Sequence, residues 1–249
     1  MQNVYKIIGD STAIPKVKIT VDGLDELIIG FVINDTELYV LNTRCSKTLS
    51  KQFKTITIDE LTKCITDILD VLVKLDNNKY VHGDLKPDNI MLCNSKYMLV
   101  DWELSTSHEE LKNRIFERKD YNVGARAYSS PLLHYITYGR QLNIIAMFSL
   151  LQEGFKAKSF DQELDRINDK ISQIIQNGYG DQIRLFDYYK STFDLFNLGI
   201  VILKALAHKE HTDDLEWNRI RIFAQKCTLS DEDPFLNPQA ANAPKVQNI

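Results

Sequence analysis

Residues 80–104 read Tyr-Val-His-Gly-Asp-Leu-Lys-Pro-Asp-Asn-Ile-Met-Leu-Cys-Asn-Ser-Lys-Tyr-Met-Leu-Val-Asp-Trp-Glu-Leu. One short loop carries Asp84, then Lys86 two residues on, then Asn89 five residues on. A second acid, Asp101, follows the apolar pair Leu99-Val100, read here as a short buried strand. Each residue alone is an ordinary loop or turn residue. Together they supply what transfer of a phosphoryl group requires. Asp84 is a proton acceptor that can orient a hydroxyl in line with the phosphate. Lys86 is a point charge that screens the moving group. Asn89 and Asp101 offer hard oxygens suited to Mg²⁺.

Working outward, residues 57–76 fit an amphipathic helix. Thr57 and Glu60 have capping-box spacing, and Leu61, Ile65, Ile68, Leu69, Leu72 and Leu75 recur at helical intervals. On the N-terminal side, Val4–Ile8, Lys16–Val21, Leu27–Ile33 and Glu37–Leu41 are rich in β-branched and aromatic residues and predict strands. Asn34-Asp35 forms a turn between the last two. Residues 105–131 are polar and predict an irregular, mobile segment. Residues 140–177 predict helix, with Phe160, Leu164, Ile167, Ile171 and Ile174 forming one apolar stripe. That stripe fits either a helix packed on the domain or a partner-binding helix. Asp194–Leu206 predicts a strongly apolar helix, and the tail from about Asn237 predicts a frayed end.

The chain has 249 residues, 44% hydrophobic and 26% charged, with a net charge of −4. It has enough length for a real core and no basic footprint for nucleic acid. Its start lacks a signal peptide, and no apolar run is long enough to span a bilayer. Cys45, Cys64, Cys93 and Cys227 are widely spaced, suggesting neither a zinc site nor a disulfide framework. The expectation is therefore reduced thiols in a cytoplasmic or nuclear compartment.

The joint pattern His-Gly-Asp-x-Lys-x-x-Asn, a strand, then Asp-Trp-Glu resembles the catalytic loop and metal-binding Asp of protein kinases. His-Gly-Asp and Asp-Trp-Glu are also similar to aminoglycoside and choline kinases. Downstream residues favour the protein kinases. Gly124-Ala-Arg-Ala-Tyr128-Ser129-Ser130-Pro131 resembles the end of the activation segment, where a peptide substrate docks. Phe193–Ile202 resembles the buried C-lobe helix whose Asp, here Asp194, hydrogen-bonds the catalytic-loop backbone. Leu38–Cys45 resembles the last N-lobe strand and the adenine-binding hinge, which makes Asn42 and Arg44 nucleotide-site candidates. The family places its His, here His82, beneath the loop as a structural group, although a free His there could act as a base. Lys86 favours the serine/threonine branch.

The resemblance implies an α+β fold. A reduced antiparallel β N-lobe and hinge would occupy residues 1–45. A mainly helical C-lobe would occupy 46–238, with an insertion near 133–190, and 239–249 would be a flexible tail. ATP and Mg²⁺ would be the cofactors, and a protein substrate or partner kinase the partner, with no nucleic acid and no membrane. The sequence also departs from the family. It contains no Gly-x-Gly-x-x-Gly. No strand-three Lys is evident: Lys16 or Lys18 could serve, or Ile14–Ile19 could be the turn after helix C of a truncated N-lobe. Gly83 replaces the Arg that pairs with a phosphorylated activation segment, so no such switch is expected. Glu103 and Leu132 replace a family Gly and Glu. Two functions stay open: an active Mg²⁺-ATP-dependent serine/threonine kinase, alone or with a partner supplying N-lobe elements, and a pseudokinase acting as a binding module. A small-molecule kinase ranks third.

Overall fold

A computed structural model describes residues 3–8, 28–33 and 37–42 as strands, together with residues 45–118, 128–138, 161–177, 181–208 and 215–229. The first three segments are β1 (Asn3–Ile8), β2 (Ile28–Ile33) and β3 (Glu37–Asn42). They form an antiparallel sheet in the order β1-β3-β2, with Lys6 opposite Tyr39 and Asn3 opposite Asn42. The expected strand Lys16–Val21 and the turn Asn34-Asp35 lie outside the described residues, as do Lys18, Arg44, Gly124 and the tail.

The rest is mainly helical. Helix α1 (Ile58–Asn77) starts at the expected capping box: Glu60 N–H donates to Thr57 Oγ1 at 3.2 Å, and Thr57 N–H donates to Glu60 Oε2 at 2.8 Å. Its buried face, including Leu61, Ile65, Ile68, Leu72 and Leu75, matches the predicted stripe, except that Leu69 is only partly buried. The chain then passes through β5 (Tyr80–Val81) and the Asp84 loop into the hairpin of β6 (Ile90–Cys93) and β7 (Lys96–Leu99). The hairpin turn is Asn94-Ser95, both at positive φ (49° and 66°). That conformation suits a two-residue hairpin and is tolerated well by Asn. A two-residue strand, β4 (Lys47–Thr48), pairs with β6 on the other side.

Beyond β8 (Thr106–Ser107) come α2 (His108–Asn113), α3 (Pro131–Tyr138), α4 (Asp161–Asn177), α5 (Gln182–Tyr189), α6 (Phe193–Ala207) and α7 (Leu215–Thr228). Helix α6 is apolar around nearly its whole circumference and is buried from Phe193 to Leu206, as an interior helix must be. It packs on α7, and one apolar cluster joins them to α1, α3, α4 and α5. Leu164, Ile167, Ile171 and Ile174 of α4 are all in that cluster, which decides for packing on the domain. Polar bonds fix the same helix: Arg166 Nη2 donates to Thr228 Oγ1 at 2.7 Å, and Lys170 Nζ donates to Leu229 O at 3.0 Å. Leu132 is buried in the cluster as well. Among the described residues no helix is long and apolar enough to cross a membrane.

Two expectations are corrected. Residues 105–118 are not irregular. Ser107 caps α2 through Glu110 N–H, a π-helical turn (Arg114–Arg118) continues it, and Leu111 and Ile115 are buried. The i,i+4 pair Leu111/Ile115 was the signal, obscured by surrounding charges. Second, Cys45 and Cys93 form a disulfide, while Cys64 and Cys227 are free and buried. The two partners are 48 residues apart, and pairing of β4 with β6 brings them together.

Candidate active site

The Asp84 loop hangs between β5 and β6, and α6 supports it from below. Asp194 on α6 is buried, and its two carboxylate oxygens accept the backbone N–H groups of His82 (2.6 Å) and Gly83 (3.0 Å). Burial pushes the Asp194 carboxyl above the usual range, and those two hydrogen bonds, with His82 nearby, oppose the shift. Gly83 sits at φ 80°, a conformation that strains any residue with a Cβ.

His82 is 0% exposed. Asp84 N–H approaches its Nδ1 at 3.3 Å and Val100 O lies 3.2 Å from Nε2, so the neutral ring with its proton on Nε2 satisfies both. Burial lowers its pKa, and Asp194, Asp84 and Asp101 offset this only in part. Trp102 closes the ring's other side edge-on, at 4.7 Å between centroids. A His locked on both nitrogens positions the loop; it is not arranged as a free base.

Asp84 is 7% exposed. Its Oδ2 accepts from Lys86 Nζ at 2.5 Å and from Asn89 Nδ2 at 3.0 Å. Asn89 Nδ2 also donates to Asp84 O at 2.9 Å. The Asn89 amide is thereby oriented, which leaves Oδ1 as its metal-capable end. Val100 N–H donates to Asn89 O at 2.9 Å and so ties the end of β7 to the loop. The next residue, Asp101, is exposed and stands at φ 65°. That is an uncommon region for a residue other than Gly, and one found at functional sites. The donor set, one amide oxygen and one carboxylate, suits Mg²⁺, which keeps several waters and takes phosphate oxygens as further ligands. Among the described residues no cluster of three or more His, Cys, Asp or Glu forms a closed metal cage.

The Tyr128–Pro131 segment is anchored on α6. Lys204 Nζ lies 3.7 Å from the centre of the Tyr128 ring. Asn197, with its amide nitrogen toward the carbonyls, donates to Tyr128 O and Phe193 O, both at 3.0 Å. Burial, with the charge of Asp88 adding, raises the Tyr128 phenol to about 12. Ser129 is buried, and Ser130 Oγ accepts Leu132 N–H at 3.2 Å to start α3, with Pro131 at its first position.

Residues 27–184, well over half of the chain, match the family profile described as the protein kinase domain. The chain belongs to the protein kinase family. This kinase domain is also 28% identical over 126 residues to a protein of Acanthamoeba polyphaga mimivirus whose name proposes a serine/threonine-protein kinase. The alignment covers 46% of this chain and 44% of the relative, so the domain spans less than half of the curated relative it matches.

Of the nucleotide-site candidates, Asn42 ends β3 in register with Asn3 and Ile28. Lys6 lies on β1, which pairs directly with β3.

Proposed function

We propose that this kinase domain transfers the γ-phosphoryl of Mg²⁺-ATP to serine or threonine hydroxyls of a protein substrate. The observation that supports this most is the shared Asp84 oxygen, which holds Lys86 Nζ and Asn89 Nδ2 in one partly buried cluster. Bound Mg²⁺-ATP would supply the transferable phosphoryl group and the cation that neutralises its oxygens. The chain's own residues do the rest. Asp84 accepts the substrate hydroxyl proton and orients that hydroxyl for in-line attack. Lys86 screens the phosphoryl charge. Asn89 Oδ1 and Asp101 would hold the metal, while Lys6 or Lys18, with Asn42 and Arg44, are proposed to receive the nucleotide. Gly124 and Tyr128–Pro131 are proposed to form the substrate platform. We assign this work to a β-rich part (1–45) and a helical part (46–238).

A binding-module reading is favoured by one observation: the sequence has no Gly-x-Gly-x-x-Gly to cover the phosphates. Lost orientation can cost about 7–11 kcal/mol of the barrier. The deciding experiment incubates the chain with labelled ATP, Mg²⁺ and a generic protein substrate, beside D84A and D101A. Signal in the wild type that both variants lose supports the enzyme. Equal signal in all three, or none, together with no thermal shift in millimolar Mg²⁺-ATP, overturns it in favour of the binding module.

A further inference from the structure

The Cys45–Cys93 bond joins two places that matter to the site. Cys45 comes three residues after β3 ends at Asn42, and Cys93 closes β6, which begins directly after Asn89. The loop closed by the bond therefore contains all of α1 and the whole Asp84–Asn89 segment. Beside the bond, Ser46 N–H and Oγ–H both donate to Leu92 O, at 2.8 and 3.0 Å, and the supporting strand β4 is only two residues long. Beside the covalent link, the ladder that holds this segment to β6 is only two residue pairs long.

The four cysteines differ in reach. Cys93 is 1% exposed and packs against Met98, with Met91 and Val100 around it. Cys45 is only partly buried, which makes it the most accessible of the four cysteines. Cys64 and Cys227 are buried, and desolvation pushes both thiols far up, out of thiolate chemistry.

We propose that Cys45–Cys93 is a redox modification site, and that closing it ties the segment leaving the β-sheet to the strand that follows Asn89 and so tightens Mg²⁺-nucleotide binding. The second clause rests on the function proposed above. The oxidant is a small-molecule disulfide of the glutathione class. The Cys45 thiolate attacks one of its sulfurs, forming a mixed disulfide and releasing one small thiol. The Cys93 thiolate then attacks the Cys45 sulfur, forming the Sγ–Sγ bond and releasing the second small thiol. The two protein thiols lose two protons and two electrons, which leave on the two small thiols. An excess of small thiol reverses the sequence.

The test equilibrates the full chain in glutathione buffers from reducing to oxidising, blocks free thiols, and maps peptides without reduction. A linked Cys45/Cys93 peptide should appear as the buffer turns oxidising, with Cys64 and Cys227 unlinked. Amide exchange over residues 45–49 and 90–93 should slow in the linked form, and Tm should rise by about 5–10 °C. Both changes should vanish in C45S, which alters the half-buried position, and in C45S/C93A. Nucleotide affinity, read with Mg²⁺-ATP by calorimetry, should improve by about threefold or more on linking, as expected when a competent conformation is pre-organised. Absence of the linked peptide, or linkage with unchanged exchange, overturns the site. Slower exchange with equal nucleotide affinities overturns its coupling to the nucleotide. Slower exchange with no nucleotide binding in either state supports the tether and overturns the kinase reading instead.

Discussion

Asp194 accepts the backbone N–H of His82 at 2.6 Å, across 112 residues of sequence. With the bond to Gly83, it makes one carboxylate of an interior helix the support of the loop that carries Asp84. D194N keeps the size of the side chain but turns an NH₂ group toward one of the two N–H donors. Hydrogen bonds to a charged group contribute about 1.5–3 kcal/mol, so D194N should lose about that much stability in urea unfolding. Phosphoryl transfer should fall by more than tenfold, because Asp84 is displaced with the loop.

Gly199 lies where α6 meets α7. A Cβ there would come within 2.7 Å of Thr228 Cγ2 and 2.9 Å of both Ala224 O and Cys227 Cβ. Ala is the better helix former by about 1 kcal/mol. The clash is with backbone and a short side chain on a packed helix, and overpacking costs about 1–3 kcal/mol. G199A should therefore be net destabilising and lower Tm; a gain in Tm would show that α7 can move away freely.

Lys204 is 6% exposed, and burial lowers its pKa from 10.5 to about 8. Between pH 8 and 10.5 the unfolded chain holds a proton that the folded chain has released. Stability contributed by this group therefore rises with pH across that window. Above pH 10 the Tyr97 and Tyr128 phenols, raised to about 12, act in the opposite direction, because there the folded chain holds the extra protons. The buried Cys64 and Cys227 thiols, pushed far up by burial, also oppose it from about pH 9, where the unfolded chain loses thiol protons that the folded chain keeps. The readout is therefore the slope of wild type relative to K204M: from pH 8 to 10 the wild type should gain stability over K204M. An equal slope in K204M would assign it to other groups.

Ser129 and Ser130 are buried, at 2% and 4% exposure, and Ser130 caps α3. A carboxylate at either site would be desolvated. S129E and S130E should each lower Tm and leave phosphoryl transfer no higher than wild type. Gly83 gives the reason for the second half, since no Arg stands before Asp84 to pair with a new negative charge. A clear rise in transfer would contradict it.

Much of the site was legible because it is local in sequence. Asp84, Lys86 and Asn89 lie within six residues, and a 3₁₀ turn from Pro87 to Asn89 is enough to converge them. The Thr57/Glu60 capping box and the Leu164/Ile167/Ile171/Ile174 stripe were legible for the same reason, since each needs only one helix. The short helix α2 was missed because a single i,i+4 apolar pair amid charges is a weak period. The pairing of β1 with β3 was not legible, because a short strand carries no mark of the strand it pairs with.

The sequence by itself determined the chemistry on offer: an acid, a cation and one oxygen donor on one loop, a second oxygen donor just past the following hairpin, an interior helix, and the family. Their residue types and short spacings are properties of the chain alone. Only the tertiary structure decided what those groups face. It placed Asp194 under the His82–Gly83 backbone, Lys204 over the Tyr128 ring, and Cys45 against Cys93. Those contacts join residues 48 to 112 positions apart. Pairings at such separations arise from how helices and strands stack around a shared core, which no local pattern records.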